Sequence, residues 1–589
     1  MALRGRVPDA ESTYEDPVYG VNLHASEEDL QAGESSQMKN LVHFGGLVSR
    51  NGNTALNSSA IASSYAVQGG HKYYYGGASP AKLRVIAYDT KVSSVNDSGT
   101  EGVLNSTYTH TAATSNKLTH FYTWPITDSL YIVNGTDDPF KYDGTDYLPL
   151  GAINIRNGTY KWTASGSGTA EYYCELLAGG DPSLLDPTTR GGVILNGSAS
   201  TNGTMGSLSA GEWDYGDNDT LGYSTIYVRL SDGTDPDGKA SGYVQAYQGT
   251  NTPGVSTNPV GKQILGLVDR LFMITTNGIE RSDPRSDSIW SLNSSWATFR
   301  PSQSGSQFKA MIPHVVSNAE GQPQNGALAI TESAYYFFTG TTFGDDVTAA
   351  TPDFDTFGNS SDNGAIVYID QIGCYGPRGV TSVPGIGTFW ITTTANVFFV
   401  PAGRTVGRMV GTRIVNTGGS STTGLESLQT TTANEAWVIY REPYLMIGFT
   451  PNSGTYNTTQ YWMDMNKFRE NPNVPIWYGP MTGQSISCVW NENQQGDNGL
   501  YGGEANSSTG IFVYNLRADS VYQDKVGTTA TDITYVYSTY LKSGGAPSRE
   551  KYVQSVEVEM NTVSGQPTVD IADISGAILT GVKLERTFV

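Results

Sequence analysis

Asp232, Asp235 and Asp237, in the stretch DGTDPDG, are the residues of this chain best suited to hold a hard cation. Calcium takes roughly six to eight oxygen ligands from a flexible loop, and here carboxylates alternate with turn-forming glycines. Asp214, Asp217 and Asp219 (GEWDYGDND) enrich the same segment. The pattern departs from an EF-hand, because no bidentate Glu stands at the twelfth position. The plainer reading of the same residues is an Asp/Gly hairpin closed by Asx-turns. No other cofactor is indicated.

A second group of carboxylates lies in FGDDVTAATPDFDTFGNSSDNG: Asp345, Asp346, Asp353, Asp355 and Asp362. Glycoside hydrolysis needs two carboxylates at a fixed separation, one with its pKa raised by burial. Here the Gly, Thr and Asn neighbours point to a solvated loop, which keeps carboxyl pKa values low. His24, His43, His71, His110, His120 and His314 form no HxxxH or HExxH pattern, and no GxSxG is present. The chain is therefore read as having no catalytic residues. HKYYYGG (71–77) and VPIWYGP (474–480) are the densest aromatic sets. They suit stacking on sugars, but packing within the core or between subunits is the default for aromatics on half-buried strands.

The elements that must position these residues are short strands. In 589 residues there are 69 Gly and 36 Tyr, and only 15% of residues are charged. Tyr suits a pleated half-buried surface, and Gly supplies turns. The length favours two or three domains. The net charge is -21 and no stretch is rich in Lys or Arg, which argues against counterion-release binding to nucleic acid. A soluble acidic surface, or a wall past which DNA slides without sticking, fits the charge better. No apolar run reaches about 18 residues, so no membrane span is expected, and the N-terminus lacks a signal-peptide core. Cys174, Cys374 and Cys488 are too far apart for a disulfide framework or a CxxC site, which suits folding in a reducing cytoplasm.

Ser26 to Lys39 is the best helix candidate, with Ser26 as cap and Glu27, Glu28 and Asp29 in the first turn, although Gly33 interrupts it. Beyond it, apolar runs recur between Gly, Asn, Asp and Pro: LYIVNG (130–135), LFMITTNG (271–278), TFWITTTANVFFVPAG (388–403) and YLMIGF (444–449). FWIT–TTAN–VFFV reads as strand, turn and strand. Small sheets in succession without helices predict an all-β, β-propeller-centred fold, an architecture that leaves few strand edges open. No strict repeat period sets the blade count. The predicted organisation is an N-terminal arm with a short helix (1–40), a first propeller part (41–151), an inserted β-sandwich-like module (152–248), the rest of the propeller (249–530), and a C-terminal β unit (531–589). In that last unit YVQSVEVEM and PTVDIAD are expected to pair across a turn.

Five segments, taken in order, resemble propeller-bearing tail proteins of tailed phages, the short-tail nozzle and tail-hub kind. They are SSQMKNLVHFGGLVSRNGNTAL (35–56), VNGTDDPFKYDG (133–144), DRLFMITTNGIERSDPRSDSIW (269–290), IGCYGPRGVTSVPGIGTFWITTTANVFFV (372–400) and YSTYLKSGGAPSREKYVQSVEV (537–558). The insert, with GEWDYGDND and GYSTIYVRLSDGTDPD, is similar to a module found inside phage structural proteins. The resemblance implies a virion protein assembled in the bacterial cytoplasm, a homo-oligomeric ring of six-fold symmetry, and a lumen that passes DNA during genome ejection. It also implies a portal-adaptor protein above and fibres or tip proteins as neighbours, and it carries over no catalytic residue. Two other classes stay open: a receptor-binding or fibre-associated glycan-binding protein, and a polysaccharide-degrading tail enzyme.

Overall fold

The computed structural model describes most of residues 18–539, together with strands Ser555–Met560 and Lys583–Phe588. The main stretches it does not describe are 1–17, 155–161, 176–189, 217–224, 249–259, 288–297, 300–306, 340–366, 540–554 and 561–582.

Apolar runs of four to six residues need a sheet buried on both faces, and the structure provides such sheets seven times. Seven four-stranded antiparallel blades span 69–103, 120–149, 263–299, 308–370, 380–409, 437–481 and, for the last, 486–515. The second strands of several blades, Ser129–Val133, Arg270–Ile274, Gly387–Ile391 and Tyr444–Phe449, are buried at every position. Both of their faces pack on neighbouring blades, which is why the sequence shows continuous apolar runs there instead of alternation. Consecutive blades share apolar cores. Phe121, Leu130 and Tyr142 of blade 2 pack with Tyr73, Val85 and Val92 of blade 1. Trp390 and Phe398 of blade 5 pack with Leu328, Tyr335 and Phe337 of blade 4. Around the centre the inner strands neighbour one another in turn, Gly69–Tyr75, His120–Trp124, Gln263–Leu267, Phe308–Ser317, Val380–Val383, Trp437–Arg441 and Ile486–Glu492, and the last contacts the first. The fold is a closed seven-bladed β-propeller.

Closure uses the N-terminal segment. Strands β1 (Ser35–Lys39), β2 (Leu41–His43), β3 (Leu47–Ser49) and β4 (Thr54–Ala55) precede blade 1. The fourth strand of blade 7 is β4, which pairs with Val513–Asn515 (Thr54 with Asn515, Ala55 with Tyr514). Asn57 extends the joint: its side chain accepts from Val513 N at 3.0 Å and donates to Ile511 O at 2.9 Å. At the same seam Glu492 of blade 7 receives Lys72 Nζ at 3.0 Å and Arg84 Nη2 at 2.8 Å from blade 1, all three side chains being nearly fully buried. Gly70 lies so close to Trp490 that an added Cβ would sit 2.2 Å from the indole ring, so the two blades meet there only because the position is glycine.

Strand β1 pairs antiparallel with Val536–Thr539, and residues 15–540 form one compact unit. The helix expected from Ser26 to Lys39 is not formed: Ser35–Lys39 is β1, and residues 26–28 lie outside the described residues. Gly33 at φ +83° turns the chain just before β1, whose edge then finds Val536–Thr539 as a partner. Among the described residues the one α-helix is Met465–Glu470, where Asp464 accepts from Asn466 N and Lys467 N at 3.0 Å each.

Between blades 2 and 3 a four-stranded and a five-stranded sheet share a separate core of Trp162, Cys174, Val193, Trp213, Ile226 and Val228. The other compact unit holds 1–14 and 541–589; in it Ser555–Met560 pairs parallel with Lys583–Phe588. PTVDIAD, expected as the hairpin partner of 552–560, lies outside the described residues, and the partner observed for Ser555–Met560 is the later strand.

The seam gives a first prediction. Glu492→Ala leaves two buried cations without their counter-ion and should cost about 3–5 kcal/mol in chemical denaturation. Lys467→Ala, at an exposed ion pair, should change stability by less than about 1 kcal/mol.

Candidate functional site: the propeller axis and the acidic turn

The expected calcium ligands do not converge. Asp232 accepts from Thr234 N at 3.1 Å and Thr234 Oγ1 at 2.8 Å and is ion-paired with Lys239. Asp235 caps the 3-10 turn Pro236–Gly238 and accepts from Asp237 N at 2.9 Å. Asp237 accepts from Trp162 N at 3.3 Å. Asp232 and Asp235 close local turns, as Asx-turns do, while Asp237 reaches a distant backbone amide; Lys239 holds Asp232 down to about 2, helped by the Thr234 hydrogen bonds. Asp214 is likewise engaged, by Met205 N at 2.8 Å. Among the described residues no group of three or more His, Cys, Asp or Glu is placed to hold a metal ion. Backbone and side-chain donors thus engage oxygens that a cation would need. Asp217, Asp219, Asp345, Asp346, Asp353, Asp355 and Asp362 lie outside the described residues.

Tyr73, Trp477 and Tyr478 of the aromatic sets are interior, and Tyr74 and Tyr75 are half-buried. Tyr73 is buried, donates to Asp128 O at 2.6 Å and stacks on Tyr75 at 4.9 Å. Trp477 is buried on the fourth strand of blade 6 and donates to Val410 O of blade 5 at 2.8 Å, and Tyr478 is buried beside it. Tyr73 and Trp477 pack blades together. The cysteines are buried as well, and burial pushes the Cys374 thiol up to about 12, far from a nucleophilic thiolate.

A polar cluster at the axis joins residues that no motif connects. Arg378, in the turn before the inner strand of blade 5, donates to Ser487 O of blade 7 at 3.1 Å and to Gln68 O, just before the inner strand of blade 1. Those blades are not its neighbours, so the side chain bridges the centre of the ring. Near it stand His71 of blade 1, His120 of blade 2 and Glu435, which precedes the inner strand of blade 6. His71 Nε2 contacts Thr123 Oγ1 at 2.8 Å, and His120 Nδ1 is a buried atom with no hydrogen-bond partner. Burial lowers His71 to about 4; burial, then His71 and Arg378, lower His120 to about 3. Burial raises Glu435, against the opposing pull of Arg378. The cluster combines two imidazoles whose pKa values burial lowers, a guanidinium that donates to two carbonyls, and a carboxyl held near it.

The remaining histidines follow the same logic. His110 is buried in blade 2 against Tyr147 and Asn134, and His314 lies between Thr388 Oγ1 at 2.9 Å and Arg404 O at 3.3 Å. Burial lowers both.

No family model matches the chain, and no curated protein matches it. Solved structures to which it is similar include BBS1N in complex with ARL6DN (9% identity, 82% of this chain and 99% of that one, TM-score 0.33). YCF48 from Cyanidioschyzon merolae matches at 10% identity over 65% of this chain and 95% of that one, TM-score 0.25. The extracellular domain of the putative one component system BT4673 from B. thetaiotaomicron matches at 10% identity over 77% and 52%, TM-score 0.25.

The axis yields a pH prediction. Both histidines have folded pKa values below the unfolded value near 6.5, so the unfolded chain binds more protons. Their contribution is present above pH 6.5 and is lost as pH falls through 6.5 toward about 4 for His71 and about 3 for His120. In His71→Gln/His120→Gln the urea midpoint should fall less steeply than in wild type between pH 6.5 and about 4. Parallel curves would show that the imidazoles are not held neutral.

Proposed function

We propose that this chain is a non-enzymatic structural subunit of a tailed-phage tail, a nozzle or hub component whose copies form a ring around the DNA-ejection channel and carry fibres. The observation that carries the reading is where the resembling segments fall. The 35–56 stretch holds β1 to β4, which close the propeller. The 133–144 stretch covers the turn and third strand of blade 2, 269–290 holds the second and third strands of blade 3, and 372–400 leads into the first three strands of blade 5. Four of the five resembling segments thus hold propeller strands in chain order, and most of the fifth, 537–558, lies outside the described residues; the shared order supports a common scaffold more than chance sharing of turns.

Arg378 bridges the centre of this propeller, so a duplex would pass between copies and not through one. A closed ring needs a heterologous interface whose rotation closes. The acidic balance of the chain suits a wall that DNA passes without sticking. A portal-adaptor protein on one side and fibres or tip proteins on the other are the proposed neighbours. Glycan recognition has less support, because Tyr73, Trp477 and Tyr478 are buried.

Imaging of purified tails by cryo-electron microscopy tests the proposal. The expected result is several copies of this chain in one symmetric ring, six by the resemblance. A single copy, or a trimer at a fibre tip, would sink the reading.

A further inference from the structure

Eight of the thirteen exposed large apolar side chains among the described residues fall at two places. The first surrounds the buried Arg50–Asp524 ion pair: Leu47 and Val48 on β3, Val526 at the end of strand Gln523–Val526, and Tyr535 and Val536 at the start of the strand paired with β1. Asn40 draws these segments together. Its carbonyl accepts from Arg50 N at 3.1 Å, and its side chain accepts from Arg50 Nε at 3.0 Å and donates to Thr534 O at 2.8 Å. Gly52 passes so close to Gln523 that a Cβ would sit 1.9 Å from its carbonyl oxygen. Residues 41–55 contain no carboxylate, in a chain of net charge -21. Strand β3 and strand Thr529–Asp532 each belong to a two-stranded sheet, and Thr529–Asp532 is exposed at every position.

The second place lies on blades 4 and 5. Val406 is 71% exposed, Val315 and Met409 are exposed as well, and Gly403 N donates to Val315 O at 2.8 Å. Beside them a cavity of about 310 Å³ opens between blades 3, 4 and 5, lined by Leu267, Pro313, Val315, Val383, Pro384 and Ala402. Arg404 is exposed next to it, and Asp532 is exposed on the first surface.

We infer that the first surface of one copy of this chain docks on the second surface of the next copy, head to tail; the inference rests on the ring reading above. Copies with this net charge repel, so they can approach closely only where carboxylates are few and apolar area is available. The first surface meets that condition. Asp532 on it and Arg404 on the other give opposite signs to the two sides. An apolar projection on one surface and a preformed cavity on a different one make a heterologous contact, the kind that builds rings. Tyr535, 46% exposed, is the large aromatic of the first surface and the side chain suited to enter the cavity. The open edges of the two-stranded sheets would be covered by the same contact.

Two variants of the full chain test this: Val48→Asp/Tyr535→Asp for the first surface and Val315→Asp/Val406→Asp for the second. Analytical ultracentrifugation over a range of concentrations reads assembly, with circular dichroism to confirm the fold. Wild type should associate, and each variant alone should associate at least about thirtyfold more weakly. An equimolar mixture should form a dimer and nothing larger, because each variant keeps the one surface the other lacks. A mixture that stays monomeric overturns the head-to-tail pairing. Variants that assemble like wild type overturn the choice of surfaces and leave the ring reading standing. A wild-type chain that is monomeric at every concentration counts against both. If the aspartates unfold the protein, serine at the same positions gives the same comparison.

Discussion

Glu492 reaches from the last blade to Lys72 and Arg84 of the first, and the rest of the fold depends on the joint it sits in. Each blade has two large apolar faces and needs a neighbour on both sides, so an open array would leave two faces bare. The sheet side of the closure is β4 hydrogen-bonded to Val513–Asn515, and the side-chain part is Glu492 with its two cations. The apolar part is Ile86 and Tyr88 packed against Cys488, Trp490, Ile511 and Val513. A buried charge cluster is a poor source of net stability compared with apolar packing, but it is costly to pair wrongly. It therefore fixes which blades meet at the seam.

A second buried pair, Arg50 with Asp524, acts one layer further out. Gln484 Nε2 donates to Asp524 Oδ1 at 2.9 Å and Gln460 Nε2 to Gln484 Oε1 at 3.2 Å, so the pair is tied back to blade 6. The N-terminal segment is thus held twice, through Arg50 and through β4, before the chain enters blade 1. Closure and the apolar outer surface share this anchor, which links the stability of a single subunit to the proposed contact between subunits.

Much of this architecture was legible in the sequence. LFMITTNG and YLMIGF are apolar on consecutive residues because both sheet faces are covered, and the turn residues after them set the strand ends. The closure was not legible as such. Thr54–Ala55 is too short to read as a strand, and its partner lies more than 450 residues away. Ser26–Lys39 misled because a capping-type start was weighed without knowing that Val536–Thr539 would offer β1 an edge. The site was harder to read. Asp232, Asp235 and Asp237 have the composition of a cation loop, but whether their oxygens converge or turn back on the local backbone depends on geometry that composition does not carry. His71 and His120 come from successive blades and Arg378 lies more than 250 residues further along, so they meet only because a ring brings inner strands together. The signal that could have pointed to them is the presence of polar residues at the start of apolar inner strands, as in QGGHKYYY and GPRGV.

Hydrogen exchange in the native state tests the central claim, that the N-terminal strand is an integral part of the ring. Amides of Thr54–Ile61 and of Val513–Asn515 should exchange in the same cooperative step as those of the inner strand Gly69–Tyr75, because losing β4 opens the seam and exposes every blade in turn. Exchange of Thr54–Ile61 within seconds, while Gly69–Tyr75 stays protected, would show that the ring holds without this strand and would contradict the account.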